Sequence, residues 1–292
     1  MTKDTLIDKL NAYERLMRLD KPVGILLLLW PTLWGLLLAG QGHPNWQVVL
    51  IFVTGVILMR SAGCVMNDIA DRHYDGHVER TQNRPLVTGE VSVKEALLLA
   101  VGLNLVAFSL VCFLNKQTIL LSIAALFLAA TYPLTKRFLA IPQAYLGIAF
   151  GFSIPMAFAA LTNQIPPLAW WLLLANVFWT IAYDTEYAMV DREDDVKIGI
   201  KSSALLFARY DVLAIMLCYA AMAAIFIYIG KIMAFGTYYF VGILVVLGLI
   251  VWQYQMIKTR KRQHCFTAFL ANNWIGLALF ASIVMAYFMP WH

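Results

Sequence analysis

Nine runs of predominantly apolar residues, 17 to 22 residues long, follow one another along the chain: 23–40, 46–66, 95–114, 118–134, 143–162, 168–187, 212–230, 235–256 and 269–289. A helix needs about 20 such residues to cross a bilayer. The pattern predicts an all-α membrane protein with nine transmembrane helices. Connections at 41–45, 115–117, 162–167 and 230–234 are very short, and the others are longer and polar. Ahead of the first run, Leu6, Leu10, Tyr13 and Met17 recur at helical spacing with charged residues between them. Residues 1–20 are therefore expected to form an amphipathic helix lying on the membrane surface.

Composition agrees. Apolar residues make up 61% of the 292 and charged residues 13%, about half the charge of an average soluble domain. The net charge of +5 would suit a nucleic-acid partner only if it formed a patch. Instead, with the N-terminus placed in the cytoplasm, 20 of the 22 lysines and arginines fall on the inner side, leaving Lys116 and Lys231 outside. That split is a topology signal. It puts the long polar loops in the cytoplasm and the C-terminus in the periplasm, and it removes nucleic acid as a partner. The first ten residues are too acidic and too interrupted for a signal peptide. The four cysteines have no metal or disulfide spacing.

All 17 acidic residues also lie at the inner face, and acids play no part in the topology rule. They concentrate in two segments, Asn67-Asp68-Ile69-Ala70-Asp71-Arg72-His73-Tyr74-Asp75 and Asp184 to Asp195. Both contain D-R-x-x-D, at Asp71–Asp75 and Asp191–Asp195, and each follows the second span of a four-span set. This points to a duplication in one membrane-embedded domain: a first half over 21–140, a second over 141–256, and a ninth helix over 257–292. If the helices run on past the membrane, Asp68, Asp71 and Asp75 share one face, as do Asp184, Asp191 and Asp195. Stacked carboxylates repel unless a cation joins them. Oxygen ligands suit Mg²⁺, which takes one or two carboxylates together with substrate phosphates. Two facing acidic clusters would hold two or more Mg²⁺ with a diphosphate between them.

A diphosphate also needs basic partners. Arg72, Arg80 and Arg84 lie in or after the first cluster, Lys197 and Lys201 follow the second, and Lys136 and Arg137 end the fourth run, with Tyr132 one turn before Lys136. Arg60 differs, because it sits inside the second run, seven residues before Asn67 on the same helical face. That is about 10 Å deeper, and an arginine within the membrane is a functional candidate by default. It is placed to hold the carboxylate of an acceptor.

On these residues the sequence resembles the UbiA superfamily of intramembrane prenyltransferases. The motifs are N-D-x-x-D-x-x-x-D at 67–75, R-T-x-x-R-P at 80–85, Y-x-x-x-K at 132–136, Y-D-T-x-Y-A-x-x-D-R-x-D-D at 183–195 and K-I-G-I-K-S-S at 197–203. Together with Met59–Cys64, they resemble the branch that prenylates 4-hydroxybenzoate in ubiquinone synthesis. Lys21 is a soft departure, standing where many members carry arginine. The resemblance implies two four-helix halves plus one helix around a central cavity open to the cytoplasm of a bacterial inner membrane. It implies Mg²⁺ held by Asn67, Asp68, Asp71, Asp75, Asp191 and Asp195, with Asp71, Asp75, Asp191 and Asp195 as the catalytic carboxylates. The basic residues above would bind the diphosphate of a polyprenyl diphosphate, and Arg60, Tyr132 and Asp184 would contact the 4-hydroxybenzoate. A carboxylate of the second cluster would help to remove the phenolic or ring proton, and loops 76–93 and 196–210 would cap the site. No obligate protein partner is expected.

Three alternatives stay open. A UbiA-type enzyme could use dihydroxynaphthoate or haem as acceptor. A polytopic transporter is disfavoured because the acids cluster at one surface instead of the midplane. The D-x-x-D-G-x-x-A-R pattern of CDP-alcohol phosphotransferases matches only loosely at 71–80.

Overall fold

A computed structural model describes residues 3–77, 81–135, 138–198 and 201–289. All regular structure among them is helical. The chain forms α1 Lys3–Met17, α2 Val23–Ala39, α3 Trp46–Asp71, α4 Val93–Val111, α5 Lys116–Thr135, α6 Pro142–Gly151 and α7 Ser153–Thr162. It continues with α8 Pro167–Ile198, α9 Ser203–Phe207, α10 Asp211–Ile232, α11 Thr237–Ile257 and α12 Arg262–Phe288. Each apolar run coincides with a helix or, for 143–162, with the α6–α7 pair. Seven stretches among the described residues are long and apolar enough to cross a membrane: α3, α4, α5, α6–α7, α9–α10, α11 and α12. The protein is therefore a multi-pass membrane protein. The apolar α2 is shorter, at 17 residues, while α8 extends to 32.

Local chemistry sets the boundaries. The Asn45 side chain caps α3, accepting from the Gln47 and Val48 amides at 2.8 and 3.5 Å. Ser92 and Glu95 form a reciprocal capping box at the start of α4. The break between α6 and α7 follows from Pro155, which has no N–H for the Gly151 carbonyl and whose ring crowds that turn. The next amide, Met156, reaches Phe152 only at 3.4 Å.

One aromatic cluster ties the bundle together. Trp34 of α2 lies 5.2 Å, ring to ring, from both Trp179 of α8 and Phe226 of α10. Its indole N–H donates to the Gly276 carbonyl of α12 at 3.2 Å. Helix α2, from the first half of the sequence, thus packs among helices of the second. Helix α6 meets α8 through Gly147, where an added Cβ would fall 2.8 Å from Val177 Cα. The Gly147/Gly151 pair acts as a packing device of the small-xxx-small kind.

Candidate active site

A cavity of about 1100 Å³ runs through the bundle, walled by α2, α3, α4, α5, α6 and α8. Its polar end is built by two helix ends and a loop. From α3 come Asn67, Asp68 and Asp71; from the following segment come Tyr74, Asp75, Asn83 and Arg84; from α8 come Asp184, Tyr187, Asp191 and Asp195. Arg18 and Lys201 close the rim. The other end is apolar, lined by Ile51, Phe52, Leu114 and Met156. Ile51 precedes Asn67 by 16 residues of α3, which is about 24 Å of helix. Phe108 on α4 and Ile123 and Leu126 on α5 line the cavity and are 44, 56 and 43% exposed.

Arginines hold the first acidic cluster. Asp68 is 1% exposed, and its Oδ1 accepts from Arg18 Nη2 at 2.8 Å and lies 3.0 Å from Arg84 Nη1. Arg84 Nη1 also donates to Asp75 Oδ2 at 2.5 Å. Burial raises the Asp75 carboxyl above its ordinary value, with the Arg84 charge opposing the shift. In the second cluster, Arg262 approaches Asp191 at 3.8 Å.

The donor chemistry fits Mg²⁺. Asn67 and the five carboxylates offer only oxygen to a hard cation. Asp68 Oδ2 is buried with no hydrogen-bond partner, and a buried carboxylate oxygen left this way is expensive. Among the described residues, however, no three His, Cys, Asp or Glu side chains converge closely enough to enclose an ion. The carboxylates share a cavity without forming a closed cage.

Deeper in the same cavity, Arg60 contacts Cys64 through Nη1, and its Nε is buried without a partner. A Cβ on Gly24 would fall 2.9 Å from the Arg60 Cζ, so this glycine in the first turn of α2 makes room for the guanidinium. Tyr132, Asp184 and Arg60 each lie within electrostatic reach of the Tyr183 hydroxyl. A pocket with a cation and phenol-sized polar groups, one step below an acidic rim and above an apolar shaft, suits an aromatic acid next to an isoprenoid diphosphate.

The sequence matches the UbiA prenyltransferase family over residues 28–289. The chain belongs to the UbiA prenyltransferase family. It is 61% identical over 283 residues to a 4-hydroxybenzoate octaprenyltransferase of Nitrosospira multiformis, covering 97% of this chain and 98% of that one. It is also 61% identical over 284 residues to one of Methylobacillus flagellatus, covering 97 and 96%. Among solved structures, a UbiA homolog from Aeropyrum pernix K1 in its apo form aligns with a TM-score of 0.79 at 26% identity, over 89% of this chain and 97% of that one. A UbiA homolog from Archaeoglobus fulgidus bound to GPP and Mg²⁺ shares the fold, with a TM-score of 0.66 at 20% identity over 93 and 99%.

In this UbiA-family chain, the cavity gathers Asn67, Asp68, Asp71, Asp75, Asp191 and Asp195, together with Arg60, Arg84, Tyr132, Asp184 and Lys201. Arg72 stands apart from that group. It is exposed, donates to the Ile69 carbonyl at 2.8 Å and is not among the cavity residues. One residue after Asp71 is about 100° around the helix, which turns it away. The shared face of Asp68, Asp71 and Asp75 needs correcting, because α3 stops at Asp71 and Asp75 begins a short 3₁₀ helix, Asp75–His77. The last turn tightens as the Tyr74 amide bonds Asp71 at 2.8 Å. On α8 the helix does continue, so Asp184, Asp191 and Asp195 stay on one element. Arg80, Lys136 and Arg137, and the side chain of Lys197, lie outside the described residues.

Sequence reasoning missed Arg18, Tyr187 and Arg262 of this family member. Tyr187 had a signal, standing one turn before Asp191 on the same face. Arg18 and Arg262 had none, since each meets its aspartate 50 and 71 residues away along the chain.

Proposed function

We propose that this chain transfers a polyprenyl group from polyprenyl diphosphate to the ring carbon ortho to the hydroxyl of 4-hydroxybenzoate, releasing diphosphate, as a step of ubiquinone synthesis. The observation that carries the proposal is the single cavity joining an acidic rim, an arginine-bearing pocket and an apolar shaft. Relatives at 61% identity over almost the whole chain bear that activity in their names.

Asn67, Asp68, Asp71, Asp75, Asp191 and Asp195 would hold Mg²⁺. When bound, the ion supplies charge stabilisation to the departing diphosphate. Arg84 and Lys201 line the rim and would clamp phosphate oxygens, with Arg80, Lys136, Arg137 and Lys197 as further candidates. The shaft would hold the isoprenoid and keep water from the allylic cation formed at C1. Arg60 would hold the benzoate carboxylate while Tyr132 and Asp184 orient the ring. The ortho carbon then attacks C1, and a carboxylate of α8 takes the proton. We place nine crossings in a bacterial inner membrane, with the N-terminus and the site's loops in the cytoplasm on the strength of the basic residues.

The test uses membranes containing the protein, labelled 4-hydroxybenzoate and a polyprenyl diphosphate, with Mg²⁺ present or chelated and with Asp71→Ala and Asp191→Ala in parallel. Label should enter the lipid extract only with Mg²⁺ and both aspartates. Transfer to dihydroxynaphthoate or haem instead would overturn the benzoate assignment, and no transfer to any acceptor would overturn the enzyme reading.

A further inference from the structure

Glu186 lies within the acidic motif of α8 but takes no part in the cavity. It is fully buried where α8 meets α10 and α12, as are Tyr219, Asn272 and Trp179 around it. Among the described residues its carboxyl oxygens meet only neutral partners. The Tyr219 hydroxyl is 2.9 Å from Oε1 and the Asn272 amide nitrogen 2.9 Å from Oε2. The Cys265 thiol of α12 lies within electrostatic reach. A buried carboxylate facing no cation is costly.

The hydrogen bonds decide which form fits. The Tyr219 oxygen is also 2.9 Å from Asn272 Oδ1. The Asn272 orientation is fixed twice over, because the Trp179 indole N–H donates to Oδ1 at 2.9 Å and Nδ2 donates to the Ala268 carbonyl at 3.1 Å. Tyr219 therefore stands between two oxygen acceptors, and a phenol has one proton. If Glu186 were ionised, one of these close oxygen pairs would have no hydrogen in it. With a proton on Oε1, every position is filled. Glu186 donates to Tyr219, Tyr219 donates to Asn272 Oδ1, and Asn272 Nδ2 donates to Glu186 Oε2.

We propose that Glu186 is held as a neutral carboxylic acid, closing a ring with Tyr219 and Asn272 that fixes the rotation of α8 and aims its acidic face into the cavity. At about 100° per residue, Asp184, Asp191 and Asp195 lie about 160°, 140° and 180° around the helix from Glu186. The ring thus anchors the side of α8 opposite the cavity, and Glu186 is a positioning residue. A slip in that rotation moves three cavity carboxylates together. Only this consequence rests on the prenyl-transfer reading; the protonation state of Glu186 does not.

The test compares the intact wild-type protein with Glu186→Gln and Glu186→Ala. Glutamine keeps a donor on one side and a carbonyl on the other, so it can close the same ring. The infrared difference spectrum of wild type minus Glu186→Gln at neutral pH should show the C=O stretch of a protonated carboxylic acid. Glu186→Gln should keep kcat and the donor KM within about twofold, while Glu186→Ala should raise the donor KM or lower kcat on the order of tenfold or more, as misplacement by a fraction of an ångström does. A carboxylate band in place of the acid band overturns the neutral ring, even if no variant has activity. Glu186→Gln as damaging as Glu186→Ala overturns the positioning role. Should Glu186→Ala fail to fold, the band and the glutamine variant still decide.

Discussion

Arg18 Nη2 lies 2.8 Å from Asp68 Oδ1, joining the end of the amphipathic α1 to the end of α3. Asp68 is almost completely buried, and it pairs with both Arg18 and Arg84. Arg18→Ala leaves Arg84 in place. We therefore expect a loss of about 1–3 kcal/mol in stability, together with weaker donor binding, read as a lower Tm in detergent and a raised donor KM. An unchanged donor KM would separate α1 from the site.

Arg60 should act on one substrate. Hydrogen bonds to charged groups contribute about 1.5–3 kcal/mol, so Arg60→Ala should raise the acceptor KM on the order of tenfold to a hundredfold. The donor KM should change little. Steady-state kinetics varying each substrate in turn would sink the assignment by showing equal effects on both.

Metal dependence should reside in the two acidic clusters. Chelation is expected to abolish transfer, with recovery on adding Mg²⁺. Asp191→Ala should lower kcat by roughly a hundredfold or more, as loss of a key electrostatic group does. A variant that keeps full rate at saturating Mg²⁺ would place Asp191 outside the ion's shell.

Narrowing the apolar shaft should make the protein discriminate by tail length. Val56 lines the cavity 11 residues before Asn67, about 16 Å down α3. Val56→Trp should therefore reduce kcat/KM for a long-chain donor on the order of tenfold while sparing geranyl diphosphate. Equal losses for both donors would mean that the chain does not pass Val56.

Gly147 is a test of packing alone. Its Cβ position is 2.8 Å from the α8 backbone, so Gly147→Ala must push α6 and α8 apart. Overpacking of this kind costs about 1–3 kcal/mol, visible as a lower Tm. Stability equal to wild type would show that the helices part without strain.

Much of this was legible in the sequence. Apolar length alone located the helices, because a bilayer allows few other ways to bury such runs. The aspartates of α8 were legible because one unbroken helix carries them and spacing then fixes their face. Asp75 was legible from its motif but not from helical spacing, because α3 ends at Asp71. The motif likewise does not encode the turn of about 100° that separates Arg72 from Asp71. Pairings such as Arg18 with Asp68, or Glu186 with Asn272, join residues 50 and 86 apart. No local pattern encodes them, because the bundle creates them when it closes.

The exposed apolar side chains of Phe108, Ile123 and Leu126 along the cavity would change the energetics of donor capture if the tail passed between α4 and α5. A lipid tail entering there leaves one hydrocarbon medium for another, and acyl chains are as apolar as the side chains that receive them. Lengthening the isoprenoid should then add little affinity. Recognition would then fall to the phosphorylated head, with the bilayer as a reservoir from which any chain carrying the right head group could be drawn.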